Sequence, residues 1–125
     1  KIAYIDPAAG GSSGIYLQKL FGTLGLADVV KAKAVLVPGG LVAEKLVSGE
    51  ADLALHQISE ILAVPGVKLV GPLPDELQNY TVYTLVRAAK VSDNAAVDTF
   101  ANLISGPAAL EAIVAKGMQQ IVSNP

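Results

Sequence analysis

Ile2-Ala3-Tyr4-Ile5-Asp6-Pro7-Ala8-Ala9-Gly10-Gly11-Ser12-Ser13-Gly14 stands almost at the start of the chain and decides how the rest is read. Ile2 to Ile5 is a β-branched and aromatic run, the composition of a buried strand. Asp6-Pro7 stops it with a turn signal. Ala8 to Gly14 is a loop of small residues ending in two candidate helix N-caps, Ser12 and Ser13. From Ile15 the apolar residues change period: Tyr16, Leu20 and Leu24 form an i, i+4 row, with Leu17 and Phe21 beside it. Gly25 supplies a helix end. Strand, glycine loop and helix in that order are the opening of a βαβ unit.

The same order recurs downstream. Ala34 to Val37 reads as a strand, Pro38-Gly39-Gly40 as a turn, and Leu41 to Val47 as a helix with Val42/Leu46 and Ala43/Val47 paired. Asp52 to Leu55 reads as a third strand and Ile58 to Leu62 as a short helix. Val67 to Val70 is expected as a fourth strand and Tyr80 to Val86 as a fifth, the longest β-like run. Two helices follow Ser92-Asp93. The first has Ala96, Val97, Phe100, Leu103 and Ile104 on one face; the second starts at Gly106-Pro107 with Leu110, Ile113 and Val114 facing in. The expected fold is α/β, a three-layer, mostly parallel sheet flanked by helices. Ligands of such sheets bind beyond the carboxyl ends of the strands. Three loops qualify: Ala8 to Gly14, Pro38 to Gly40, and His56 to Ser59.

Composition narrows the function. The chain has 125 residues, 52% hydrophobic and 16% charged, which excludes disorder as the main state. Its net charge of −2, with lysines scattered and no Trp, argues against a nucleic-acid partner. Without Cys there is no disulfide, thiolate metal site or Cys nucleophile, and the compartment stays open. No apolar run approaches the roughly 18 residues of a membrane span. The chain begins at Lys1 without Met and reaches a strand at once, which fits a cut inside a longer protein or a processed terminus.

Several residues have chemistry to offer. The Gly10-Gly11-Ser12-Ser13-Gly14 loop lets a ligand approach backbone amides at a helix start, where the partial positive charge favours an anion; it also reads as a plain flexible connection. It lacks the Walker Lys and does not fit the dinucleotide fingerprint. Pro38-Gly39-Gly40 alone is a tight turn, but two such turns in one parallel sheet aim amides at one crevice. His56, the only His, has no HxH, HxxxH or carboxylate cluster around it, so no metal site is expected. A lone His at a strand end is usually packed or exposed. Ser12, His56 and Asp6 can be written as a catalytic set, yet no Gly-x-Ser-x-Gly elbow supports it. Glu50 and Asp52 read as solvated charges at a turn, and Arg87 as a surface residue.

Those loops sit inside a wider pattern. Asp6-Pro7, Gly14-Ile15-Tyr16, Leu24-Gly25-Leu26, Gly49-Glu50-Ala51-Asp52 and Ser59-Glu60 together resemble the periplasmic molybdate-binding proteins, the substrate-binding components of ABC transporters. Phe100 to Ala109 with Lys116-Gly117-Met118 resembles that family's C-terminal ending. The resemblance implies one lobe of a type 2 periplasmic-binding fold in residues 1–88, and in residues 89–125 helices that would pack on a first lobe. It implies a small oxyanion or related polar ligand bound by amides near Ser12 or Ser13 and near Gly39 or Gly40. The family's Tyr ligand falls on Gln57, and its Asp after Ser59 is Glu60, so the ligand position departs from the pattern. A carboxamide and a phenol differ in reach and geometry.

The expectations are then a periplasmic transport protein with no catalysis and no cofactor, working with a membrane permease. The alternative is the ligand-sensing effector domain of a LysR-type transcription regulator, which shares this type of fold. A helix-turn-helix preceding Lys1 would favour the sensor, and a signal peptide would favour transport. The apolar faces of the last two helices also imply a homo-oligomer, exchanged between copies across the Arg87 to Asp93 linker.

Overall fold

The computed structural model describes residues 1–90 and 94–121. They form two compact units, Lys1–Asn79 and Tyr80–Pro125. The first is built on a three-stranded parallel sheet in the order β2-β1-β3, with β1 Ile2–Ile5 at the centre, β2 Ala34–Val37 on one side and β3 Leu53–Ala54 on the other. Ile2 to Ile5 pair in register with Ala34 to Val37, and Ile2 and Ala3 with Leu53 and Ala54.

Alternation along β1 feeds two cores. Tyr4 on one face meets Leu17 and Phe21 of α1 (Ser12–Thr23) and Val30 of α2 (Ala27–Lys31). The Tyr4 and Phe21 rings meet edge to face, centroids 5.6 Å apart at 74°, a favourable aromatic geometry. Ala3 and Ile5 on the opposite face pack with Val37, Val42 and Ala51. Both faces of the central strand are therefore covered, as a parallel sheet requires. α3 (Glu44–Val47) and α4 (Ile58–Ile61) are single turns after β2 and β3.

Several expectations change. Val67–Val70 and Tyr80–Val86 form no strand. Strand composition becomes a strand only where a neighbour completes the ladder and a face is buried, and Val70 and Val86 are 91% and 81% exposed. The helix expected over Leu41–Val47 is regular only from Glu44; Val42 and Ala43 ahead of it are buried, Val42 in the second core. α2 is an added helix, started by the chain turning at Gly25, where φ is +68°. Ser12 and Ser13 are helical residues; the N-cap is Gly11.

The second unit holds α5 (Asn94–Ser105) and α6 (Pro107–Ala115), packed on each other. Gly106 caps α6 and Pro107 sits in its first turn, where the missing N–H costs nothing. Arg87 is half exposed and pairs with Asp98. Ser92 and Asp93, and with them part of the expected linker, lie outside the described residues. No helix of the described residues is long and apolar enough to cross a membrane.

Candidate functional site

The connections leaving β1, β2 and β3 all emerge at the carboxyl edge of the sheet, and because β1 is central its loop lies between the other two. Asp6 begins the first. Its carboxylate accepts from the Ala8 N–H at 2.9 Å, closing a 3-10 turn over Pro7–Ala9, while its own N–H donates to the Val37 carbonyl at 2.8 Å. Gly10, at φ +82°, reverses the chain into α1.

The first turn of α1 presses on the end of β1. A Cβ on Gly14 would stand 2.3 Å from the Ile5 carbonyl oxygen, and one on Gly11 would stand 2.6 Å from Ile5 Cγ2. Only glycine fits there. This contact explains glycines that composition alone leaves as a flexible loop: they set a close approach between a helix start and a strand end.

A crevice of about 200 Å³ opens at this edge. Ser12, Ser13, Gly39, Gly40 and Gln57 all line it, together with His56 and Glu60. Gly40 needs its glycine, since φ there is +82°. No side chain caps α1, and the first backbone bond of its opening turn is from the Ile15 N–H to the Gly11 carbonyl. The amides ahead of it have no intrahelical acceptor. They carry the partial positive charge of a helix start.

His56 and Glu60 are the titratable groups of the lining. One helical turn separates them, which puts His56 Nε2 2.8 Å from Glu60 Oε2. The His56 side chain is 5% exposed. Burial pushes its pKa below the ordinary value, more strongly than the Glu60 carboxylate pulls it up. His56 Nδ1 and Glu60 Oε2 are buried without a hydrogen-bond partner among the described residues. The sequence carries a signal for this contact in the i, i+4 spacing of His56 and Glu60 across a helix start.

The catalytic set Ser12, His56 and Asp6 does not assemble. Asp6 is engaged with Ala8 and His56 Nε2 faces Glu60, so no Ser–His–Asp relay exists. Glu50 lies outside the crevice, held by Lys45 at 2.9 Å and by Ser48, and the Lys45 and Ser48 bonds lower its pKa. Among the described residues no cluster of His, Cys, Asp and Glu is suited to a metal ion.

Comparison with known proteins places this architecture. Residues 1–119 match the family described as bacterial extracellular solute-binding protein. An aconitate isomerase from a Pseudomonas species is 33% identical over 125 residues, which is 99% of this chain and 46% of that protein. The chain thus spans somewhat less than half the length of this relative. No solved structure matches it. A parallel sheet with glycine turns gathered at one carboxyl edge, matched to the family over nearly its whole length, makes this chain a member of the bacterial extracellular solute-binding proteins.

Proposed function

We propose that the crevice is one half of a binding site for a small anion, held mainly by the backbone amides of Ser12, Ser13, Gly39 and Gly40 and by the Gln57 carboxamide. The observation that carries this reading is the convergence of those residues on one crevice beside an α1 start that no side chain caps. Amides at a helix start hold an anion without a full positive charge. Residues 1–88 act as one lobe, and residues 89–125 belong against another part of the protein. The whole protein works outside the cytoplasm with a membrane permease. The family match favours this role over the LysR-type sensor.

The ligand class is a small polycarboxylate rather than molybdate. Gln57 replaces the Tyr of the molybdate-type pattern, Glu60 replaces its Asp, and the relative of known name acts on aconitate. A carboxylate accepts paired amide donors as readily as a tetrahedral oxyanion does. Isothermal titration with trans-aconitate and with molybdate tests the choice. Aconitate is expected to bind more tightly, and Gln57→Ala to weaken it by about 1 kcal/mol, the scale of one lost polar contact. Tighter molybdate binding would reverse the ligand assignment, and unchanged affinity in the variant would remove Gln57 from the site.

A second reading is catalytic. The named relative is an isomerase, and His56 with Glu60 puts a neutral imidazole and a carboxylate in the same crevice. An isomerase acting on an unsaturated acid needs such a proton acceptor. Conversion of cis- to trans-aconitate by the whole protein, lost in His56→Gln, would establish it; binding without conversion would leave the transport role.

A further inference from the structure

The amide cradle leaves two ionisable side chains of the crevice without a role. His56 stands just after β3, and Glu60 is one turn on in α4. His56 Nε2 and Glu60 Oε2 are 2.8 Å apart but not aligned as a hydrogen bond, and His56 Nδ1, on the other side of a ring that is 5% exposed, has no partner among the described residues. A buried polar atom left unsatisfied destabilises the fold, because it has lost its water and gained no partner. Native folds keep few such atoms, and those they keep need an explanation. Here both residues line the proposed ligand crevice.

Charge sharpens the point. Glu60 is the carboxylate in the lining of a crevice that otherwise suits an anion. Left alone, it repels a negative ligand. His56 can cancel it, but in the open crevice burial disfavours the imidazolium. A bound anion changes that balance, because a buried imidazolium is then flanked by two negative charges rather than one. Protonation also turns both ring nitrogens into donors, one for Glu60 and one for a further acceptor. The other faces of the crevice bring no competing charge: β1 and α1 contribute Ile5, Ser12 and Ser13, and the turn after β2 contributes Pro38 to Gly40. Asp6, at the end of β1, is committed to the Ala8 amide.

We propose that His56, set against Glu60, is the side chain that meets the anion in this crevice, and that it takes up a proton as the anion binds. The inference rests on the reading of the crevice as an anion site. Its direction is fixed by linkage: a ligand that favours the protonated form binds more tightly as pH falls. Between the pKa values of the free and bound states the affinity changes by at most about tenfold per pH unit.

His56 is the only histidine, so its imidazole signals identify themselves in the proton–nitrogen NMR spectrum of the 125-residue chain. The chain is titrated with acid alone, with saturating trans-aconitate, and with molybdate. The expected result is a midpoint below the ordinary 6.5 in the free chain. Aconitate should move it up by about one pH unit or more, the usual scale for an added opposite charge close by. Affinity read from the same spectra should fall severalfold from pH 6 to pH 8. His56→Gln should bind with an affinity that does not depend on pH over that range. Glu60→Gln should bind more tightly than wild type at pH 8, because it removes the repelling charge without the need for a proton. If molybdate alone moves the His56 midpoint, proton-coupled capture stands with a different anion. Anion-induced shifts at Ser12 and Gly40 with an unmoved His56 midpoint would overturn the inference and leave the anion site standing. No shift anywhere with either anion, even at the high anion concentrations that half a site requires, would overturn both.

Discussion

The unit Lys1–Asn79 holds the buried hydrophobic side chains, from Ala3 to Val64; among the described residues from Tyr80 onward none is buried. The difference does not lie in composition. Tyr80, Val82, Tyr83, Leu85 and Val86 are at least as strand-like as Ile2 to Ile5, yet each is more than half exposed. Phe100 is 58% exposed although α5 has a clear apolar face, while Phe21 on α1 is 9% exposed. Ile2–Ile5 has a strand on each side and a core on each face. Burial is a property of what surrounds a segment, and the second unit carries apolar surface of a kind that folded chains normally cover.

The contrast can be broken most severely at Phe21. Phe21→Ala should destabilise the first unit by about 3–5 kcal/mol, the cost of an aromatic deletion in a packed core. Hydrogen exchange of the β1 amides in increasing urea would measure it, and a loss below about 1 kcal/mol would mean that the Tyr4–Phe21 core is not the main support of the sheet. Gly14→Ala comes next. Its Cβ meets the Ile5 carbonyl oxygen at 2.3 Å, so α1 must shift, at about 1–3 kcal/mol. The same shift should misplace the amides of Ser12 and Ser13, so anion affinity falls together with stability. Retained affinity would separate the cradle from the helix start.

If the apolar faces of the second unit seek cover, the chain should self-associate at micromolar concentration, and light scattering should report a species larger than a monomer. A clean monomer would count against an exchange of α5 and α6 between copies. Phe100→Ala is the smallest effect. Removal of a side chain that is 58% exposed should change stability by no more than about 0.5 kcal/mol. It should nevertheless weaken self-association. A large stability loss would show that Phe100 is buried in solution by a contact within one chain.

The strand-loop-helix order of the first unit was legible because period and punctuation are local. Ile2 to Ile5, Asp6-Pro7 and the Tyr16/Leu20/Leu24 row each mark their element within a few residues. Gathering Ser12, Ser13, Gly39, Gly40 and Gln57 at one edge followed from the rule that parallel strands present their carboxyl ends together. Other readings failed where the outcome depends on partners distant in sequence. Val67–Val70 and Tyr80–Val86 have strand composition but form no strand. Ser12 and Ser13 look like caps, but Gly11 takes that place since the helix must lie against Ile5.

By itself the sequence determined the α/β class, the absence of thiol chemistry in this chain and the three strand-to-helix turns. Those features depend on residue identity and on spacing within a turn or a strand. The tertiary structure alone decided that β1 is central, that Gly14 is needed for contact with Ile5, and that His56 is buried against Glu60 in the same crevice as the amides. Those facts depend on distances between segments and on the water that packing removes. Burial sets the cost of a charge on His56, and no local pattern of residues carries that information.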